Sequence, residues 1–466
     1  MAVPMTRRAR NASGIALAVP ILKQRFGERC ETGAAIRAQH AHTTTWIAGE
    51  PADAVVFVES HQDVVDLVEV CRTHRVPIVP FGVGTSLEGH VNAPEGGISA
   101  DFSRMNQVLA VHDEDLTCTV EPGVTRTQLN AHLRDRGLFF PIDPGANATI
   151  GGMCGTRASG TNAVRYGTMR ENVVALRAVL ANGDTITTAS RAKKSSAGYD
   201  VTRLLVGSEG TLGLITAVTL KLHGIPEAIL SAVCPFPTVE AACRATIATV
   251  QSGIPVARIE LLDGLQVSAV NAHSKLTLPE VPTLFLEFHG SPAAVAADGE
   301  AVAALAADEG GGPFKIATLA EDRSRLWQAR HDAYWAALGL RPGCTGISTD
   351  VCVPISRLAE CVEATREDAQ ELDLVAPIVG HVGDGNFHTL VLIGDDPAER
   401  ARAATFIGRL SERAIAMEGT CTGEHGIGQG KMAYLRRELG GTVDVMAAIK
   451  ATLDPDGIMN PGKIFH

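Results

Sequence analysis

No Cys-x-x-Cys pair occurs in the chain, although it holds ten cysteines. That spacing excludes a zinc ribbon and a dithiol redox centre, and the thiols read as reduced and mostly buried. Cys421 stands nearest the candidate chemistry. No uninterrupted apolar run reaches 18 residues, so no membrane-spanning helix is expected. Arg7, Arg8 and Arg10 lead into a mixed segment and not into the apolar core of a signal peptide. Lysines and arginines never cluster beyond a pair or so. With a formal charge of −11 and a pI near 5.8, this argues against nucleic acid or an anionic membrane as the main partner. A soluble cytoplasmic protein is expected, with a peripheral position at the inner membrane left open.

Two nucleotide-binding fingerprints are also missing. The glycine-rich loop Pro80-Phe81-Gly82-Val83-Gly84-Thr85-Ser86-Leu87-Glu88-Gly89 places its third glycine five residues after Gly84, not three, and it has no Walker lysine. The loop nevertheless suits a dinucleotide pyrophosphate. Its glycines let backbone N–H groups approach phosphate oxygens, and Thr85 and Ser86 add hydroxyl donors. A β-α-β unit delivers the chain to it: a strand-length run from Ala54 to Val58, a helix opened by Ser60 and Asp63, and a second strand from Val76 to Val79.

What is present beyond this loop has the makings of an enzyme. At 466 residues, 45% hydrophobic and 20% charged, the chain is long enough for two or three domains with real cores. A second cluster of glycine and small polar residues contains Pro144, Thr149, Gly151, Gly152, Gly155, Ser159, Gly160, Tyr166 and Gly167; it is too dense for a packed element and suits backbone wrapped around something flat and polar. A third, Gly207 to Thr216, contains Gly213 and Ile215, and its Glu209 offers a carboxylate for ribose hydroxyls.

The densest chemistry lies between residues 374 and 430. Asp384-Gly385 reads as a two-residue type I′ turn, which would pair His381 with His388 across a hairpin. Opposed side chains lie about 4.5–5.5 Å apart at Cβ, so two imidazoles could reach one metal ion. Thr422 to Gly428 adds Glu424 and His425 on a glycine-flanked loop. His381, His388 and Glu424 therefore form a candidate open site for Zn²⁺, Mn²⁺ or Fe²⁺.

The three glycine clusters, together with Arg341 to Cys344, His381 to His388, Gly423 to Gly428 and Asn460 to Ile464, resemble the vanillyl-alcohol oxidase/p-cresol methylhydroxylase superfamily. From about residue 45 to Lys463 the chain is similar to its FAD-dependent D-lactate dehydrogenase branch. The resemblance implies an α+β fold with three parts: a two-subdomain FAD-binding domain over residues 1–223, a ferredoxin-like antiparallel cap over 224–430, and a segment over 431–466 returning to the first domain, with Asn460 near the flavin ring. It implies non-covalent FAD, because Gly84 stands where covalent members carry histidine. Arg330, a two-pronged donor on a helix, becomes the expected receptor of a substrate carboxylate. Trp327, Tyr334 and Trp335, at helical spacing, read mainly as core.

The chemistry implied is oxidation of a D-2-hydroxy acid to the 2-oxo acid. The α-hydroxyl would lie on the metal and the Cα hydride would pass to flavin N5. His425 is the candidate base, because the unperturbed pKa of an imidazole, near 6.5, suits proton removal at neutral pH, and Arg330, Asn386 and His425 are the candidate substrate-binding residues. Lactate is the first choice of substrate, because Ser348 stands where the 2-hydroxyglutarate branch has a lysine; 2-hydroxyglutarate and glycolate stay as alternatives. The electron acceptor, whether cytochrome c, quinone or an electron-transfer flavoprotein, is not written in the chain, and a homodimer is one of the assemblies left open. A metal-dependent hydrolase is the reading from a different class, and a redox-neutral flavin-binding relative is another.

Overall fold

Ala54, Val55 and Val56 are all buried in the strand Ala54–Phe57, as a strand covered on both faces requires. In the computed structural model, which describes residues 9–465, this strand lies in a four-stranded sheet. Arg7, Arg8 and the closing His466 lie outside the described residues. The strand Ile98–Asp101 runs parallel to Ala54–Phe57 on one side and to Ile78–Phe81 on the other, so the two arms of the expected β-α-β unit are neighbours only through a third strand. Their helix, His61–His74, is capped by Ser60, whose hydroxyl accepts from the Asp63 N–H. It buries Val64, Leu67, Val68 and Cys71 in one face.

The sheet belongs to a unit formed by Met1–Ser159, Gly167–Ile225 and Glu424–His466. A second, five-stranded antiparallel sheet completes it, in the order Val108–His112, Thr117–Val120, Leu214–Lys221, Val173–Val179, Thr185–Thr187. Each sheet has its own apolar core.

The other unit comprises Gly160–Tyr166 and Pro226–Gly423. Its antiparallel sheet runs Lys315–Ala317, Ala228–Pro235, Thr283–Gly290, Val256–Leu262, Ile378–Gly380, Asn386–Ile393, Thr345–Ser348, and Val351–Cys352 also pairs with Asn386–Ile393. Ile259 and Leu261 enter a core shared with the helices Val239–Gln251, Pro292–Asp308, Leu358–Glu371 and Pro397–Ala416. Leu262 and Phe285 enter another with Trp327, Ala329 and Ala336. Side chains on a strand alternate, so helices cover both faces of this sheet and not one face alone as the sequence suggested. Phe406 is wholly buried in the first of these cores. We expect Phe406→Ala to lower unfolding free energy by about 3–5 kcal/mol, read from urea denaturation of the purified chain.

The division departs from the expected boundaries in ways that specific contacts explain. The first unit resumes at Glu424, not 431, because the N–H groups of Ile427 and Gly428 donate to Glu209 and that of Gln429 donates to the Glu88 carbonyl. Gly160–Tyr166 groups with the later residues because Arg165 donates to the Pro255 carbonyl, Arg258 donates to Asn162, and the Tyr166 hydroxyl meets His289. Among the described residues, no helix is long and apolar enough to cross a membrane.

Candidate functional site

His381 follows the strand Ile378–Gly380 and His388 lies in Asn386–Ile393. The two are not cross-strand partners. Val379 faces His388, and the connection is a short 3₁₀ turn, Val382–Asp384, closed by Gly385 at φ 79°. Within this turn the Val382 side chain is fully buried in the core. Gly385 is required by its left-handed backbone and by the Val353 carbonyl, which a Cβ would overlap. The imidazoles still converge. Their centroids are 5.4 Å apart with planes at 83°, and candidate ligand nitrogens lie within 4.8 Å of each other.

Each ring is held through Nδ1. His388 Nδ1 donates to the Thr349 carbonyl at 3.0 Å, and His381 Nδ1 donates to Glu260 Oε1 at 2.7 Å. With the proton on Nδ1, Nε2 keeps its lone pair, the form in which imidazole binds a cation. The donor set therefore fits a divalent metal at the two Nε2 atoms.

Glu260 was not singled out in the sequence. It lies on the strand Val256–Leu262 with no exposed side-chain surface. Its Oε2 accepts from Arg330 Nε at 2.9 Å and Nη2 at 2.5 Å. Burial opposes its ionisation, but the Arg330 charge and the hydrogen bonds from His381 and Arg330 outweigh burial and hold the carboxyl below its ordinary range. The visible signal was a lone acid in the otherwise apolar run Ile259 to Leu262. Arg330 itself is buried on the helix Ala320–His331, beside Trp327, which is core as expected. Trp335 is not core; it is 57% exposed, because the helix breaks at Asp332 and restarts as Ala333–Leu338 on a different face.

A second buried acid, Asp350, orders the approach to Glu424. Its Oδ1 accepts from Asn386 Nδ2 at 2.7 Å and its Oδ2 from the Thr422 hydroxyl at 2.9 Å. Asn386 Nδ2 also donates to the Val351 carbonyl, so only its Oδ1 is left for a substrate hydroxyl. Thr420 forms a bridge with Cys352. These contacts fix the chain as far as Gly423, and Glu424 follows through one peptide bond. All ten cysteines are free and eight are buried, Cys421 among them.

In the first unit, Glu209 is engaged by the chain itself: Oε1 accepts from the Ile427 N–H at 2.7 Å and Oε2 from the Gly428 N–H at 2.8 Å, with His90 Nε2 at 3.2 Å. Burial opposes its charge, but His90 and these donors prevail and keep the carboxyl below its ordinary range. Glu209 thus clamps the loop after His425. Gly426, at φ 80°, lies so close that a Cβ would meet Glu209 Oε1.

Ser86 Oγ, in the first glycine loop, is buried and has no hydrogen-bond partner among the described residues. An orphaned hydroxyl beside Gly82, Gly84 and Thr85 is what a phosphate-binding loop would show, and it fits FAD. Pro80 lies in the strand Ile78–Phe81 before the loop, and Val83 is exposed while Gly89 is buried. Thr149 caps the helix Ile150–Thr156, which carries Gly151, Gly152 and Gly155, and its hydroxyl packs against Gly82. Pro144, Ser159 and Gly167 are half-buried in connecting segments, whereas Gly160 and Tyr166 fall in the second unit. Gly213 approaches the Val179 carbonyl and Ile215 pairs with Ala178, so both serve the sheet. Asn460 is buried, its amide donating to the carbonyls of Glu209 and His90.

Comparison with known proteins agrees with this division of labour. Residues 225–464 match the family of FAD linked oxidases, C-terminal domain, and residues 52–189 match the FAD binding domain. The chain is 51% identical over 444 residues to the probable D-lactate dehydrogenase, mitochondrial, of Danio rerio, covering 94% of this chain and 89% of that protein. It is 48% identical over 414 residues to the D-lactate dehydrogenase (cytochrome), mitochondrial, of Arabidopsis thaliana, covering 88% and 73%. In fold it is similar to p-cresol methylhydroxylase with substrate bound, at a TM-score of 0.80 and 16% identity, covering 100% of this chain and 98% of that one. The chain belongs to the FAD-linked oxidase family, with an FAD binding domain at residues 52–189 and that family's C-terminal domain at residues 225–464.

Proposed function

We propose that the chain is an acceptor-linked, FAD-dependent D-lactate dehydrogenase that converts D-lactate to the 2-oxo acid and passes the electrons to a cytochrome. The observation that carries this reading is Glu260, which holds a guanidinium with one oxygen and an imidazole with the other. A 2-hydroxy acid calls for that pair of elements, a fixed fork for its carboxylate and a ligand for a cation near its hydroxyl. The names of the Danio and Arabidopsis relatives support lactate, and the latter supports a cytochrome as acceptor.

His381, His388 and Glu424 would hold Zn²⁺, Mn²⁺ or Fe²⁺, which supplies Lewis acidity that lowers the pKa of the α-hydroxyl. Pro80 to Gly89 would hold FAD non-covalently, and FAD would supply the two-electron acceptor for the Cα hydride. The protein's residues do the rest. Arg330 Nη1, the guanidinium nitrogen not engaged by Glu260, receives the substrate carboxylate together with Nη2. His425 takes the hydroxyl proton, and Asn386 Oδ1 accepts from a polar group of the substrate. Ser348, half-buried on the strand Thr345–Ser348, offers no cation to a second carboxylate, which favours lactate over a dicarboxylic hydroxy acid.

Cytochrome c reduction by the FAD- and metal-loaded enzyme tests this directly. Turnover with D-lactate and little with L-lactate or D-2-hydroxyglutarate is expected; preference for either of the latter would overturn the substrate assignment. Arg330→Lys keeps a cation beside Glu260 but removes the fork. We expect KM for D-lactate to rise about 10–100-fold with a smaller change in kcat, since a charge-assisted hydrogen bond contributes about 1.5–3 kcal/mol.

A further inference from the structure

We infer that Glu260 is a positioning residue that sets the His381 tautomer for metal binding and orients the Arg330 fork for substrate, both from one carboxylate; this rests on the proposed roles of His381 and Arg330. The two oxygens are divided between the two tasks. Oε1 is 2.7 Å from His381 Nδ1, while Oε2 takes both Nε and Nη2 of Arg330, at 2.9 and 2.5 Å. Glu260 is fully buried, so water does not compete for either oxygen. Its neighbours Ile259 and Leu261 point into the core on the opposite face of the strand, which leaves Glu260 little freedom to swing away.

The arrangement needs an acceptor on both sides. A neutral imidazole that donates from Nδ1 presents a lone pair at Nε2, and a guanidinium held along its Nε and Nη2 edge cannot rotate. Glutamine matches glutamate in size but has one acceptor and one donor. With its carbonyl toward Arg330, its amide N–H faces His381 Nδ1, and the ring must then carry its proton on Nε2, where it blocks a metal. With the amide reversed, N–H groups confront the N–H groups of the guanidinium. Either way one of the two tasks fails.

A buried ion pair that serves stability alone would behave differently, and one set of titrations separates the cases. Chelator-stripped, FAD-loaded wild-type and Glu260→Gln proteins are titrated with Zn²⁺ by calorimetry, and D-lactate KM, kcat and Tm are measured on the reloaded proteins. We expect Glu260→Gln to bind Zn²⁺ about 10–100-fold more weakly or, with the amide reversed, to raise KM by a larger factor than it lowers kcat. Zn²⁺ affinity and KM within about twofold of wild type, with only Tm reduced, would assign Glu260 to stability alone and overturn the inference. A wild-type chain that binds no Zn²⁺ while still oxidising D-lactate would overturn the metal site itself, and the inference with it. If Glu260→Gln does not fold, the double variant Glu260→Leu/Arg330→Met removes both the acceptor and the unpaired cation, and its Zn²⁺ affinity is expected to be weakened about 10–100-fold. Unchanged affinity in the double variant overturns the inference.

Discussion

His425→Ala is expected to slow flavin reduction by D-lactate about 10²–10⁴-fold, the range supplied by a positioned general base, while FAD and metal content stay unchanged. An imidazole with an ordinary pKa near 6.5 is matched to proton removal near neutral pH, whereas the nearby carboxylates are committed elsewhere. Glu209 grips Ile427 and Gly428, two and three residues beyond His425, and the positive-φ Gly426 lets the chain pass close enough for that grip. These contacts run from Glu209 to backbone N–H groups and remain in the truncated variant, which should therefore fold and load normally. Stopped-flow reduction at saturating D-lactate is the measurement. A near-normal rate would remove the base assignment and leave Arg330 and the metal to explain catalysis.

His388→Ala is expected to lose metal and activity together. The ring donates from Nδ1 to the Thr349 carbonyl, so Nε2 is its only ligand atom, and alanine offers none in its place. Loss of a direct ligand should weaken binding by more than the 10–100-fold typical of an outer-shell partner. The loss of Lewis acidity should lower turnover about 10³-fold or more, since polarisation by a metal is worth several kcal/mol in the transition state. Metal analysis and cytochrome c reduction on the same preparation are the checks. Metal retained at wild-type level with activity lost would move His388 from ligand to substrate contact. Activity retained without metal would contradict the metal-dependent reading.

The motifs that are local in sequence were the ones legible in it. Ser60 as a cap, the glycine-framed loop at Pro80, and the chemistry gathered at His381, His388 and Arg330 could each be found from residue types at short spacing. What escaped was decided by tertiary packing. The connection is a 3₁₀ turn and not a two-residue loop, so His388 faces Val379 and the imidazoles meet at an angle and not across a ladder. Glu260 lies 70 residues from Arg330 and 121 from His381, and no local pattern joins them. Glu209 drew notice as an acid among glycines, but its partners come from a loop more than 200 residues later, and that clamp could not be read from the sequence. Trp335 fitted a helical stripe with Trp327, yet the break at Asp332 rotates it outward. The glycine clusters could have been plain turns in a hydrolase; the place of the first two in an FAD binding domain removes that premise for them.

An anaerobic visible spectrum of the purified protein, before and after addition of D-lactate, with L-lactate and D-2-hydroxyglutarate alongside, bears most directly on FAD-dependent oxidation of D-lactate. A flavin band bleached by D-lactate alone is expected, and removal of the metal by a chelator should abolish the bleaching. A flavin band that D-lactate leaves intact in the metal-loaded protein would contradict it.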